Sequence, residues 1–111
     1  MLRAVSLFSG AGGFCRGVQL AGFKIACAVE SDRDACRTHS ANFDGVPMFD
    51  GDIADFLSID VSGVPSRSKL RSTGIDLVFG GPPCQGFSQI GPAHHRCRHA
   101  DAEHVAVQIV D

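Results

Sequence analysis

Four short apolar runs recur along this chain of 111 residues, and each ends in a glycine turn or an acid: "AVSLF" (4–8), "KIACAV" (24–29), "VPMF" (46–49) and "IDLVF" (75–79). Short apolar runs bounded by turn residues read as strands buried on both faces. Helical patterning fills the first two gaps. Phe14, Val18 and Ala21 lie at helical spacing, with Gly22 where a helix end favours a positive φ. Gly17, inside that helix, costs about 1 kcal/mol relative to alanine and is expected to mark close packing on the sheet. In "SDRDACRTHSANF" (31–43), Ser31 is the expected N-cap with Asp34 three residues on, and Ala35, Cys36, His39 and Phe43 form the inner positions. The third run is weak and leads through "DGD" to the short apolar segment "IADFL"; residues 62–73 are polar and are expected to be an exposed connection.

Strands alternating with helices predict an α/β fold with a parallel, doubly wound sheet and right-handed crossovers. Ligands of such sheets bind outside the carboxyl ends of the strands. That edge gathers four loops: 9–14, 30–32, 51–53 and 80–88. Composition agrees with a packed fold of one domain's size, at 44% apolar and 20% charged residues. No apolar run approaches the roughly 18 residues of a membrane span, and the start lacks a signal peptide's pattern, so a cytoplasmic location without membrane is expected. Five cysteines at irregular spacing predict reduced thiols. The net charge of −2 leaves only residues 67–71 and 94–99 locally basic, so any grip on nucleic acid phosphates is concentrated there or absent.

The loops carry the chemistry. "SGAGG" (9–13) lets backbone amides approach a ligand at the positive end of a helix. Twenty residues after Gly10, Glu30 stands where an acid can accept hydrogen bonds from both ribose hydroxyls. Asp52 could accept from an adenine amino group with Ile53 against the ring; the alternative for Glu30 and Asp52 is that they only cap the helices that follow. In "FGGPPCQGFS" (79–88), Pro82 and Pro83 stiffen the approach to Cys84 and glycines clear space for a flat substrate. A free cysteine is commonly a small buried hydrophobe, which suits Cys15, Cys27 and Cys36. Cys84, isolated among glycines and prolines after a strand, reads instead as a nucleophile.

Together "VSLFSGAGGF" (5–14), "AVESD" (28–32), "GDI" (51–53) and "DLVFGGPPCQGFSQIG" (76–91) resemble the motifs of DNA (cytosine-5)-methyltransferases, in the family's order. The resemblance covers residues 4–91. It implies a Rossmann-like, S-adenosylmethionine-dependent methyltransferase fold acting on a DNA cytosine flipped from the stack. By resemblance Phe8, Ala11 and Gly13 line S-adenosyl-L-methionine, Glu30 holds its ribose, Asp52 and Ile53 its adenine, and Gly81 and Pro83 lie near its methionine. Cys84 is the implied catalytic residue.

The resemblance also implies what to expect beyond residue 91. The family's later motifs, with the glutamate that protonates the base, do not follow Cys84; only Asp101, Glu103 and Asp111 are acidic there. The sheet is therefore expected to be incomplete, its fourth strand an open edge, and the chain to be an amino-terminal fragment, inactive without the carboxy-terminal part of the enzyme. Residues 92–111 depart from the family and form a tail of uncertain structure. His94, His95, Cys97 and His99 are too crowded on one segment for a closed zinc site, so no metal is expected. Two other functions compete: a module that binds S-adenosylmethionine or a nucleotide without chemistry, and a relative that methylates tRNA.

Overall fold

The computed structural model describes residues 1–56, 58, 61–81 and 98–110. In chain order its elements are β1 (Leu2–Leu7), α1 (Gly13–Leu20), β2 (Phe23–Glu30), α2 (Arg33–Asn42), β3 (Met48–Asp50), a 3-10 turn (Ile53–Asp55), α3 (Arg67–Thr73), β4 (Leu77–Gly80) and α4 (Arg98–Val110). The strands form one sheet in the order β3-β2-β1-β4, every pair parallel. The chain thus winds outward from β1 to β3 and then crosses back to lay β4 on the other side of β1. This is the doubly wound α/β arrangement expected, and its switch point falls between β1 and β4.

Each face of the sheet has its own core. Ala4, Ile25 and Phe79 meet Cys15 and Val18 of α1 and Phe43 after α2. Val5, Leu7, Cys27, Val29 and Phe49 meet Ile53, Phe56, Leu70 of α3, and Val105 and Ile109 of α4. Alternation along β1 sets these two faces, but β2 carries one extra residue. Ala4 pairs with Ile25 whereas Val5 pairs with Cys27, so Ala26 is a bulge and the residues beyond it regain the phase of β1. At the amino end of the sheet, Arg3 and Asp76 exchange bonds: the Arg3 amide donates to Asp76 Oδ2 and the Asp76 amide donates to the Arg3 carbonyl, both at 2.8 Å. That pair fixes the register of β4 on β1.

Several details differ from the sequence-based expectation. The inner face of α1 is Cys15 and Val18; Phe14, expected inside, is 57% exposed and leans on Phe79 with ring centroids 4.9 Å apart. Val18 faces inward as expected, with Cys15 in place of Phe14, and Ala21 is exposed at the helix end. Gly17 lies on the exposed side with no atom near the position of a Cβ, so close packing does not explain it. The N-cap of α2 is Asp32, whose side chain accepts from the Asp34 amide at 3.0 Å, and Ser31 is outside the helix. Glu30 takes the Asp32 amide at 2.9 Å, which delays the helix by one position. Gly22, with φ 101°, ends α1 as its position predicts.

Residues 62–73 are not all connection. Ser66 caps α3 by accepting from the Lys69 amide at 3.2 Å, and Leu70 is fully buried in the core. Val64 and Leu70, six residues apart in a polar run, carry too little periodicity to be read from sequence. Within the tail, α4 packs against α3, β4 and the 3-10 turn through Val105 and Ile109, an i, i+4 pair. Among the described residues β4 has β1 as its one strand neighbour. No helix among the described residues is long and apolar enough to cross a membrane.

Candidate functional site

The carboxyl ends of β1, β2 and β3 converge on Glu30. Its Oε1 accepts from the Gly10 amide at 2.8 Å and its Oε2 from the Asp32 amide at 2.9 Å, while its own carbonyl accepts from the Gly51 amide at 3.0 Å. One residue therefore ties the glycine turn, the start of α2 and the loop after β3. The turn is further held by the Ser9 amide, which donates to the Val29 carbonyl at 3.0 Å. Glu30 is not a helix cap: that position belongs to Asp32. Asp52 does cap, its Oδ1 accepting from the Ala54 amide at 2.9 Å at the start of the 3-10 turn.

The glycine turn needs unusual backbone. Phe8 has φ 54°, Gly10 φ 59° and Gly12 φ 111°. A left-handed conformation is uncommon for a bulky residue and costs about 1–3 kcal/mol. In exchange it swings the Phe8 side chain off the strand. With Val29, Glu30, Ser31, Gly51 and Ile53, Phe8 lines a small, shallow concavity. Two glycines keep this edge tight: a Cβ on Gly12 would overlap the Phe43 ring, and one on Gly80 would overlap the Leu7 carbonyl of the neighbouring strand. The second contact is why β4 must end in glycine beside β1.

The residues singled out in the sequence divide between two places. Phe8, Glu30 and Ile53 share the first concavity, with Asp52 next to it in the chain. Ala11 and Gly13 line a second and larger cleft, with Gly12, Arg16, Asn42 and Phe43, on the α1–α2 side. Gly81 is exposed just past β4. Cys84 and Pro83 lie outside the described residues, as do His94, His95 and Cys97. Ser31 and Gly51 also line the first concavity; in the sequence they stood inside the AVESD and GDI motifs without a site role. Among the described residues no three His, Cys, Asp or Glu side chains gather as metal ligands.

Four buried polar groups stand behind the turn. The Ser6 and Ser9 hydroxyls are 2.8 Å apart, the Cys15 thiol lies 3.1 Å from Ser6 Oγ, and His39 Nε2 lies 3.2 Å from Cys15 Sγ. His39 also stacks on Phe43 with centroids 4.4 Å apart. Burial pushes the Cys15 thiol above its ordinary range, partly offset by its hydroxyl neighbours, and pushes His39 below its own, partly offset by the Glu30 carboxylate. Both groups are therefore neutral near pH 7. Nothing in the sequence signals that these four residues meet.

Comparison with known proteins places this chain in a family. The profile of the family described as C-5 cytosine-specific DNA methylase matches residues 2–104. The type II methyltransferase M.AquIA of Picosynechococcus is 45% identical over 89 residues, 80% of this chain and 35% of that protein. The type II methyltransferase M.HindV of Haemophilus influenzae is 34% identical over 109 residues, 98% of this chain and 33% of that protein. The chain thus spans about a third of the length of these relatives. Among solved structures, a DNA modification methyltransferase encoded within an E. coli prophage superposes with a TM-score of 0.70 at 29% identity, covering 98% of this chain and 29% of that one. The S. pombe Dnmt2 methyltransferase, at 22% identity and a TM-score of 0.64 over 98% of this chain and 31% of its own, shares the fold. The Rossmann-like sheet, the glycine turn clamped by an acid twenty residues on and the profile match agree: this chain belongs to the C-5 cytosine-specific DNA methylase family.

Proposed function

We propose that the chain is the cofactor-binding part of a DNA cytosine-5 methyltransferase and also supplies its nucleophile. The observation that carries this is the Glu30 clamp at the mouth of the concavity formed with Phe8, Val29, Ser31, Gly51 and Ile53. The residues fit S-adenosylmethionine. Each Glu30 oxygen accepts one backbone amide and retains a lone pair for a ribose hydroxyl. Phe8, Val29 and Ile53 offer apolar walls to a planar base, and the glycine turn at the start of α1 would hold the cofactor's carboxylate. When bound, the cofactor supplies an electrophilic methyl group.

The role of Cys84 follows from cytosine's chemistry. Carbon 5 in an aromatic ring is a poor nucleophile. Addition of the Cys84 thiolate to carbon 6 forms an S–C bond and leaves an enamine whose carbon 5 can accept the methyl group. Loss of the carbon-5 proton to a base then restores the double bond and expels the thiolate. Covalent catalysis replaces one hard step by two easier ones. The target base has to leave the stack, at a cost of a few kcal/mol. The remaining two thirds of a family enzyme's length would supply the acid and the contacts that choose the DNA sequence.

Titration calorimetry with S-adenosylmethionine tests the cofactor reading. One equivalent should bind, and Glu30→Gln, which keeps an acceptor but loses the charge, should weaken binding by about tenfold or more. No binding to the folded chain overturns the reading. The nucleophile is tested after joining the chain to the remaining length of a family member: DNA bearing 5-fluorocytosine should be trapped covalently, and Cys84→Ser should abolish trapping.

A further inference from the structure

The four polar groups behind the glycine turn are almost wholly buried: Ser6 is 1% exposed, Ser9 8%, Cys15 0% and His39 0%. Each hydroxyl or thiol has one hydrogen to give, so their bonds can be ordered. The Ser9 hydroxyl donates to the Ser6 carbonyl at 3.2 Å. The hydrogen between Ser6 Oγ and Ser9 Oγ therefore comes from Ser6. Ser6 then has no hydrogen left, and the Cys15 thiol donates to it, as the geometry shows. Cys15 Sγ in turn can only accept from His39, which places a hydrogen on Nε2. Among the described residues His39 Nδ1 has no partner. That agrees with the same tautomer, because a buried lone pair without a donor costs less than the imidazole's one N–H without an acceptor.

We infer that His39, Cys15, Ser6 and Ser9 form a one-way hydrogen-bond chain that positions the glycine turn, with His39 held as the neutral Nε2–H tautomer. The chain begins on α2, crosses α1 and β1, and ends on the Ser6 carbonyl. Through Ser9, it fixes the residue preceding the Gly10 amide that meets Glu30. Three elements thereby agree on one geometry for the turn. Burial keeps the thiol and imidazole uncharged, which excludes a reactive thiolate–imidazolium pair at this spot. These are positioning residues, since none lines the Glu30 concavity. That the turn serves S-adenosylmethionine rests on the function proposed above; the hydrogen-bond chain does not.

Nuclear magnetic resonance on the 111-residue chain tests it without cofactor. Imidazole nitrogen shifts should report His39 as the Nε2–H tautomer. Cys15→Val keeps the volume but breaks the chain, and should speed hydrogen exchange of the Gly10 amide by about tenfold, while amides at the centre of β2 keep their protection. Cys15→Ser, which can both donate and accept, should restore the wild-type rate. Ser9→Ala breaks the chain at its other end and should act as Cys15→Val does, which serves if Cys15→Val does not fold. An Nδ1–H tautomer, or Gly10 exchange that changes only in step with β2, overturns the inference. If Gly10 protection falls in Cys15→Val while the wild type binds no S-adenosylmethionine, the chain stands and only the cofactor reading fails.

Discussion

The Gly10 amide donates to the Glu30 carboxylate at 2.8 Å across twenty residues of chain. The bond joins the end of β1 to the end of β2, so the shape of the turn and the orientation of the acid are one property. A ligand that meets Glu30 meets a side chain already held by two amides. Little conformational entropy remains to be lost there on binding.

Two glycines of one helix region should respond to alanine in opposite senses. Gly12 combines φ 111° with a Cβ direction blocked by the Phe43 ring, so Gly12→Ala should cost about 2–4 kcal/mol. Gly17 is exposed in mid-helix with open space around it, and Gly17→Ala should stabilise by about 0.5–1 kcal/mol. Denaturant melts of the two variants check both; a stabilising Gly12→Ala would contradict the packing described.

Acid should weaken the fold through His39. Burial lowers its folded pKa below the ordinary 6.5, so between the folded value and 6.5 the unfolded chain binds a proton that the native chain refuses. Stability then rises with pH through that window and falls as pH drops below about 6.5, by at most about 1.4 kcal/mol per pH unit. His39→Gln removes the titration while keeping a donor, and its stability should fall less steeply over the same range. Thermal midpoints of both proteins between pH 5 and 8 decide it.

Three of the five cysteines should resist alkylation in the native protein. Burial pushes the Cys27 thiol up to about 12. Cys36 rises to about 11 through burial and through the carboxylates of Asp50, Glu30 and Asp32. Cys15 is raised by burial as well. Thiolate, the reactive form, is scarce at all three. Mass spectrometry after iodoacetamide treatment at pH 8 should find them unmodified until denaturant is added; rapid native labelling of Cys27 would contradict its place in the sheet.

The succession of strands and the loop edge could be read from the sequence because buried parallel strands announce themselves as apolar runs, and glycine and acid mark their ends. Gly10 and Glu30 were legible as a pair for that reason. The rotation of α1 was not: Phe14 is the most apolar residue of its turn, yet it stays 57% exposed and leans on Phe79 at the edge of the sheet. Nor was the start of α2, where Ser31 and Asp32 are equally good caps and the choice depends on Glu30 drawing the Asp32 amide to itself. Leu70 stood six residues from Val64 in a polar run, too far apart to show a period. The left-handed Phe8 and the Cys15–His39 contact are tertiary facts, made by elements that meet only after folding.

Ala26 works as a change of phase in β2. Before it, the strand counts in step with Ala4; after it, in step with Val5. The two halves of one strand thus obey opposite parities, and the bulge is where they are reconciled. A residue gained or lost upstream of Ala26 can be absorbed by adding or removing the bulge. Between Cys27 and Glu30 no such slack exists, and one codon more or less would turn the carboxylate to the opposite side of the sheet. In heredity, then, the first half of this strand is elastic and the second half is ratcheted to the acid it carries.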